Sequence, residues 1–194
     1  MGYVIESGND GHTARVNSFG ELFTFAVAQS LTITAAAEGT SYFIRTPVIN
    51  LTTDTFSDIF YLRNGDAYQW IINYINIRYG ATDGTGDALN RNTFGPTGGT
   101  LISGGADITP GNSNVGVLTP LPGTFKSGAQ GMIVVGGSTS EALLPEGLKE
   151  LIIQDNPIVI PPGVSYAVGY QPPAGNTSQN LQYTIQLYRQ VGRD

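Results

Sequence analysis

The feature that most constrains this chain is strict two-residue alternation near its C-terminus. From Leu181 to Leu187, Leu181, Tyr183, Ile185 and Leu187 fall on one side of an extended backbone, and Gln182, Thr184, Gln186 and Tyr188 fall on the other. A helix would scatter those four apolar residues around its circumference. The same test predicts strands with Phe23, Phe25 and Val27 on one face, then Leu31, Ile33 and Ala35, and later Tyr166, Val168 and Tyr170. Ile59–Leu62 and Trp70–Tyr79 are apolar on both faces and rich in β-branched and aromatic residues, which predicts central strands covered on both sides.

Turn chemistry punctuates these runs at Asn9-Asp10-Gly11, Asn64-Gly65-Asp66, Asp83-Gly84-Thr85-Gly86-Asp87, Pro110-Gly111-Asn112, Pro122-Gly123, Pro161-Pro162-Gly163 and Pro172-Pro173-Ala174-Gly175-Asn176. Several short strands at this spacing predict an all-β, antiparallel β-sandwich. With 40% hydrophobic residues in 194, the chain has apolar material for one domain without staples. No composition break marks a second domain, so residues 1–194 read as a single sandwich domain. Residues 1–11 read either as an arm that inserts into a partner, led by Tyr3, Val4 and Ile5, or as an ordinary first strand. Residues 81–124 are rich in Gly, Asn, Thr and Pro, with only Leu101 and Ile102 resembling a strand, and read as one long loop excursion. The segment STSEALLPEGLKEL is the one helical candidate, a turn or two capped by Ser140 and interrupted by Pro145 and Gly147.

Composition removes most chemistry. There is no cysteine and one histidine, His12, so thiol catalysis and Cys-ligated metal centres are excluded. A Ser-His-Asp arrangement would have to use His12 beside the Asn-Asp-Gly turn, and the chain has no G-x-S-x-G elbow. An exposed turn histidine is the simpler reading. The fifteen acidic residues offer many carboxylate pairs, but a glycosidase requires a spatial separation that the sequence does not give. Asp83 and Asp87 flank flexible glycines and could wrap a hard cation, yet the segment lacks the ordered ligand series and distal Glu of a calcium loop. A solvated hairpin tip accounts for the same residues. Gly98-Gly99 and Gly136-Gly137 lack the Lys and Ser or Thr of a phosphate loop. The expectation is a protein that is not an enzyme and carries no cofactor.

Nine basic against fifteen acidic residues give a net charge of −6, with the basic residues scattered, which argues against a nucleic-acid surface. The apolar runs fall short of the roughly 20 residues of a membrane-spanning helix. The N-terminus shows no basic, apolar and small-residue sequence of a secretory signal, so the expected site of synthesis is a cytoplasm. The sequons at Asn50 and Asn176 carry no weight without such a signal. Tyr166, Tyr170 and Tyr183 read as core residues, whereas Tyr68, Tyr188 and Trp70 are not assigned to either face.

Two stretches resemble a known group. GHTARVNSFGELFTFAV, residues 11–27, resembles the short leader of tailed-phage virion proteins, in which an Ala-x-Val strand precedes a Gly-x-Leu strand. IIQDNPIVIPPGVSYAVGYQPPAGNTSQNLQYTIQLYRQ, residues 152–190, resembles the final strands of jelly-roll virion proteins, with a Pro-Gly turn, a Pro-x-Ala-Gly-Asn-Thr-Ser loop and a last amphipathic strand. The middle, IFYLRNGDAYQWIINYINIRYG, follows the same pattern. The resemblance implies a jelly-roll-like virion structural protein, a cement or decoration subunit on the capsid surface. Its implied partners are the major capsid protein or other virion proteins, and its implied assembly is a homo-oligomer, a trimer by preference. The competing expectation is a receptor- or glycan-recognition module on a phage tail or head fibre, with the 81–124 excursion carrying specificity.

Overall fold

The computed structural model describes residues 4–6, 13–16, 22–23, 31–95, 99–128, 132–146, 149–153 and 157–190. The chain divides into two compact units, Met1–Leu31 and Thr32–Asp194. In the first, β1 (Val4–Glu6), β2 (Thr13–Val16) and β3 (Leu22–Phe23) form an antiparallel meander, with Val4 opposite Arg15 and Arg15 opposite Phe23.

Next in the chain is a short helix, α1 (Leu31–Ala37), where alternation predicted a strand through Ala35. Local chemistry overrides the alternation. Three consecutive alanines are strong helix formers, and the helix ends in a Schellman motif, with Thr40 N–H bonded to the Ala35 carbonyl at 2.8 Å and Gly39 N–H to Ala36 at 3.1 Å. Gly39 takes the left-handed conformation that this cap requires, with φ +70°. Phe25 and Val27 lie outside the described residues.

The strands that follow are β4 (Ser41–Arg45), β5 (Ile49–Leu51), β6 (Ser57–Asn64), β7 (Gln69–Tyr79), β8 (Ala88–Gly95), β9 (Thr100–Ser103), β10 (Ala106–Asp107), β11 (Gly111–Asn112) and β12 (Gly123–Ser127). After them come β13 (Ile133–Val135), β14 (Ser138–Leu144), β15 (Glu150–Ile153), β16 (Ile158–Ile160), β17 (Ser165–Gln171) and β18 (Gln179–Gln190). One sheet runs β11-β4-β18-β7-β15, with β16 also on β7 and β5 also on β18; the other runs β10-β12-β6-β17-β8-β14. Without the short flanking strands the orders are β4-β18-β7-β15 and β6-β17-β8-β14, all antiparallel, so successive strands repeatedly change sheet. The fold is therefore an all-β, antiparallel sandwich with jelly-roll-like strand order.

The core lies between the sheets. Leu181, Tyr183, Ile185 and Leu187 of β18 are all buried in it, as their alternation predicts, and so are Tyr166, Val168 and Tyr170 of β17. Phe60 and Tyr183 pack ring to ring across the sheets at 4.9 Å, and Trp70 stacks on Phe125 at 5.4 Å, which settles Trp70 as core. β6 and β7 are the doubly covered strands that their composition predicted. The outer face of β6 and β17 carries Tyr61 and Ala167, and Leu101 of β9 and Val134 of β13 pack over them with Met132. The Asp58 carboxylate pins this flap by accepting the Val134 N–H at 2.7 Å. Burial pushes that carboxyl above its ordinary range, against the opposing effects of the Val134 N–H and of Arg91.

Two expectations need correction. Residues 81–124 are not one loop: β8 lies inside the second sheet, between β17 and β14. Its alternation is hidden because two asparagines, Asn90 and Asn92, take the inward positions between Ala88 and Phe94, Asn92 receiving a hydrogen bond from the buried Tyr166 hydroxyl at 3.0 Å. Irregular chain remains on both sides of β8, at residues 81–87 and in the later part of the segment around the short strands β9, β10 and β11. The Ser140 segment is strand β14, paired with β8 from Ser138 opposite Phe94 to Leu144 opposite Ala88. Pro145 and Gly147 leave too little uninterrupted chain for a helix, whereas a waiting sheet edge supplies a partner for every second backbone group.

Candidate functional site

Among the described residues, the features suited to binding sit at opposite ends of β18. Tyr188 pairs with Ser41 at one end and Leu181 with Tyr79 at the other, about 23 Å apart at 3.3 Å per residue. At the Ser41 end the backbone of Arg189 donates to the Thr40 carbonyl at 2.8 Å, so the chain enters and leaves the sandwich side by side.

Beside Ser41 lies the loop that follows β11. Two asparagines build it. Asn112 accepts the Asn114 N–H at 2.8 Å and Asn114 accepts the Gly116 N–H at 3.1 Å, two successive side-chain turns. Their amide nitrogens reach outward to the end of α1, Asn112 to the Gly39 carbonyl at 2.7 Å and Asn114 to the Ala37 carbonyl at 3.2 Å. The Ala37 carbonyl is one that a helix end leaves without an internal partner, and Gly39 is the residue that caps that end. Ser113 N–H bonds the Ser41 carbonyl at 2.8 Å, and the hydroxyls of the same two serines meet at 3.1 Å. Val117 packs on Gly39, where any Cβ would lie 2.8 Å from a Val117 methyl. The loop is thus fastened on several sides, and it holds Val115 at 95% and Leu118 at 93% exposure. A second apolar surface lies on the flap, where Ile102, Ile133 and Val135 face outward.

At the opposite end, the loops around 51–56, 80–87 and 172–178 are tied together. Asp83 accepts the N–H groups of Thr177 at 2.7 Å and Ser178 at 3.2 Å, and also the Thr177 hydroxyl. These bonds, the Thr177 hydroxyl foremost, lower its pKa to about 2. Thr85 bridges Ala174, Asp54 accepts the Gly175 N–H at 2.9 Å, and Thr82 donates to Asn176 at 2.8 Å. Beside this knot is a cavity of about 450 Å³ bounded by Tyr79, Thr82, Pro145, Glu146, Lys149 and Gln179, among others. Tyr79 and Tyr170 pack at 5.3 Å, and Tyr170 donates to Gln179 at 3.0 Å.

Of the residues singled out from sequence, Val4 and Ile5 lie in β1, opposite Arg15 and Ala14, and Tyr3 and His12 lie outside the described residues. Asp83 engages the chain's own backbone. Neither sequon asparagine has an idle amide: Asn50 donates to Asn180 at 3.0 Å, and the buried Asn176 donates to the Leu51 and Thr53 carbonyls at 3.1 and 3.3 Å. Tyr68 receives the Arg189 guanidinium over its ring at 4.7 Å. Sequence reasoning missed Val115 and Leu118; the available signal was a cluster of three aliphatics, Val115, Val117 and Leu118, just behind Asn112-Ser113-Asn114. It also missed the cavity wall, which joins residues distant in sequence and left no local signal. The chain matches no protein-family model and none of the curated proteins compared with it.

Proposed function

We propose that this protein is a virion structural subunit, a cement or decoration protein that binds the assembled shell of a major capsid protein on the particle surface. The observation that carries the reading is the loop after β11, which presents Val115 and Leu118 almost wholly to solvent while side-chain and backbone bonds hold its conformation. Exposed aliphatics on a pre-formed loop are anchors that lose little conformational entropy on docking. The jelly-roll-like order and the outward apolar face of the flap support the same reading, since both suit a body held by neighbours. Self-association, as a trimer by preference, would multiply the contacts each subunit makes with the shell. The effect is mass action: a subunit that binds only the assembled shell stabilises it by RT ln(1 + [L]/Kd) per site.

The test is co-sedimentation of the full chain with purified shells of the phage that encodes it, with shell melting and sedimentation equilibrium of the free chain alongside. Wild type is expected to pellet with shells and raise their melting temperature. The Val115→Asp/Leu118→Asp double variant is expected to keep its own stability within about 0.5 kcal/mol, as exposed substitutions do, and to remain in the supernatant. Wild type that fails to pellet, or a double variant that pellets equally well, overturns the reading.

A further inference from the structure

We infer that the cavity at the Tyr79 end of the sandwich binds a neutral saccharide. Its volume of about 450 Å³ lies within the roughly 300–1,000 Å³ of small-molecule sites. Tyr79, Pro145 and Pro173 give its wall flat apolar surface, and Glu146, Lys149 and Gln179 add polar groups. A sugar ring presents that same combination, an apolar face of C–H groups with hydroxyls around its edge.

Charge narrows the class further. One carboxylate and one ammonium line the cavity, so the wall carries no net charge and does not favour a phosphate or a polyanion, which calls for several cations. Glu146 is an acceptor and Lys149 a donor, and neither is in an ion pair among the described residues. Gln179 accepts from Tyr170 through Oε1, which leaves its amide nitrogen to donate. Tyr79 is 7% exposed and its hydroxyl is buried, so it closes the wall without offering a ligand a hydrogen bond. Three glycines, Gly80, Gly84 and Gly86, bring backbone rather than side chains to the wall, and a Cβ on Gly86 would meet nothing within 4 Å.

The wall is also set before any ligand arrives. Asp83 clamps Thr177 and Ser178, and Thr85 bridges Ala174, so the loops on this side are fixed by the chain's own hydrogen bonds. Ordering that is already complete does not have to be supplied by the ligand.

The test uses the full chain with glucose, galactose, N-acetylglucosamine and their disaccharides, read by saturation-transfer NMR and calorimetry, with N-acetylneuraminic acid and inorganic phosphate as anionic comparators. Ala81→Trp narrows the cavity from an exposed wall position, and Glu146→Gln removes the acceptor charge; circular dichroism checks that each folds. Saturable binding of at least one neutral sugar, weakened about tenfold or more by each substitution, which is 1.4 kcal/mol or more, supports the site. No saturable neutral-sugar binding, a preference for either anion, or binding unchanged by Ala81→Trp overturns it. The site does not depend on the capsid reading, and the Val115→Asp/Leu118→Asp variant is expected to bind sugar like wild type.

Discussion

The hydroxyls of Tyr166 and Tyr183 meet at 3.2 Å in the middle of the sandwich, one from each sheet, and Tyr166 passes its own proton to Asn92 at 3.0 Å. Tyr183 is therefore the donor within the pair. Tyr183→Phe removes one hydrogen bond and leaves the Tyr166–Asn92 bond intact, so about 0.5–1.5 kcal/mol of stability should be lost. Tyr166→Phe strands both the Tyr183 hydroxyl and the Asn92 carbonyl, and the expected loss is about 1–3 kcal/mol. Urea denaturation of the two variants reads the order directly. Equal losses, or a larger loss in Tyr183→Phe, would contradict this bond direction.

Buried phenols also make the fold sensitive to alkali. Burial pushes Tyr170 up to about 12, and pushes Tyr79, Tyr166 and Tyr183 upward as well. An unfolded chain releases these protons near pH 10, while the folded chain keeps them. Stability should hold below about pH 10 and fall as pH rises beyond it, because the native state then binds more protons than the unfolded one. Denaturant midpoints at about pH 8 and 11 test the sign, and Tyr170→Phe should reduce the drop.

Asp83 has the opposite sign. Its carboxyl titrates near 2 in the folded chain, below its unfolded value. Whatever it contributes is present above about pH 4 and disappears as pH falls from there toward 2. Asp83→Ala is expected to speed hydrogen exchange of the Thr177 and Ser178 amides at neutral pH, and to leave the Val168 amide of β17 unchanged. Continued protection of Thr177 and Ser178 would show that the clamp does not hold the loop.

Two glycines tolerate a methyl group to different degrees. A Cβ on Gly128 would lie 2.2 Å from the Asp58 carbonyl oxygen, and backbone inside a sheet cannot step aside. On Gly169 it would lie 2.0 Å from the tip of the Phe56 ring, a side chain that can swing away. Gly128→Ala should lose about 1–3 kcal/mol, as overpacked sites do, and Gly169→Ala less. Gly169→Ala should also disturb the stacking of Arg91 on Phe56, now 4.2 Å from the ring centre. A smaller loss in Gly128→Ala than in Gly169→Ala would contradict the assignment.

What was legible in the sequence follows a physical line. β17 and β18 could be read because their inward positions are apolar and evenly spaced, and β6 and β7 because both their faces are covered. β8 could not, since Asn92 meets the Tyr166 hydroxyl in the core and so breaks the apolar alternation. Leu31–Ala35 alternates like a strand, but three alanines and the Gly39 cap decide for helix. The apolar loop depends on Asn112 and Asn114 finding carbonyls of Ala37 and Gly39, more than seventy residues earlier, and the cavity joins loops from four parts of the chain. Local pattern carries neither kind of information.

Because Thr40 and Arg189 lie hand in hand, anything spliced on close behind Gln190 would emerge on the side of Val115 and Leu118. A fluorescent or affinity partner put there would crowd whatever those two aliphatics grip and leave the Tyr79 hollow, some seven rungs down the ladder, open to the medium. The placement of a label therefore decides which of the two ends can be interrogated with it.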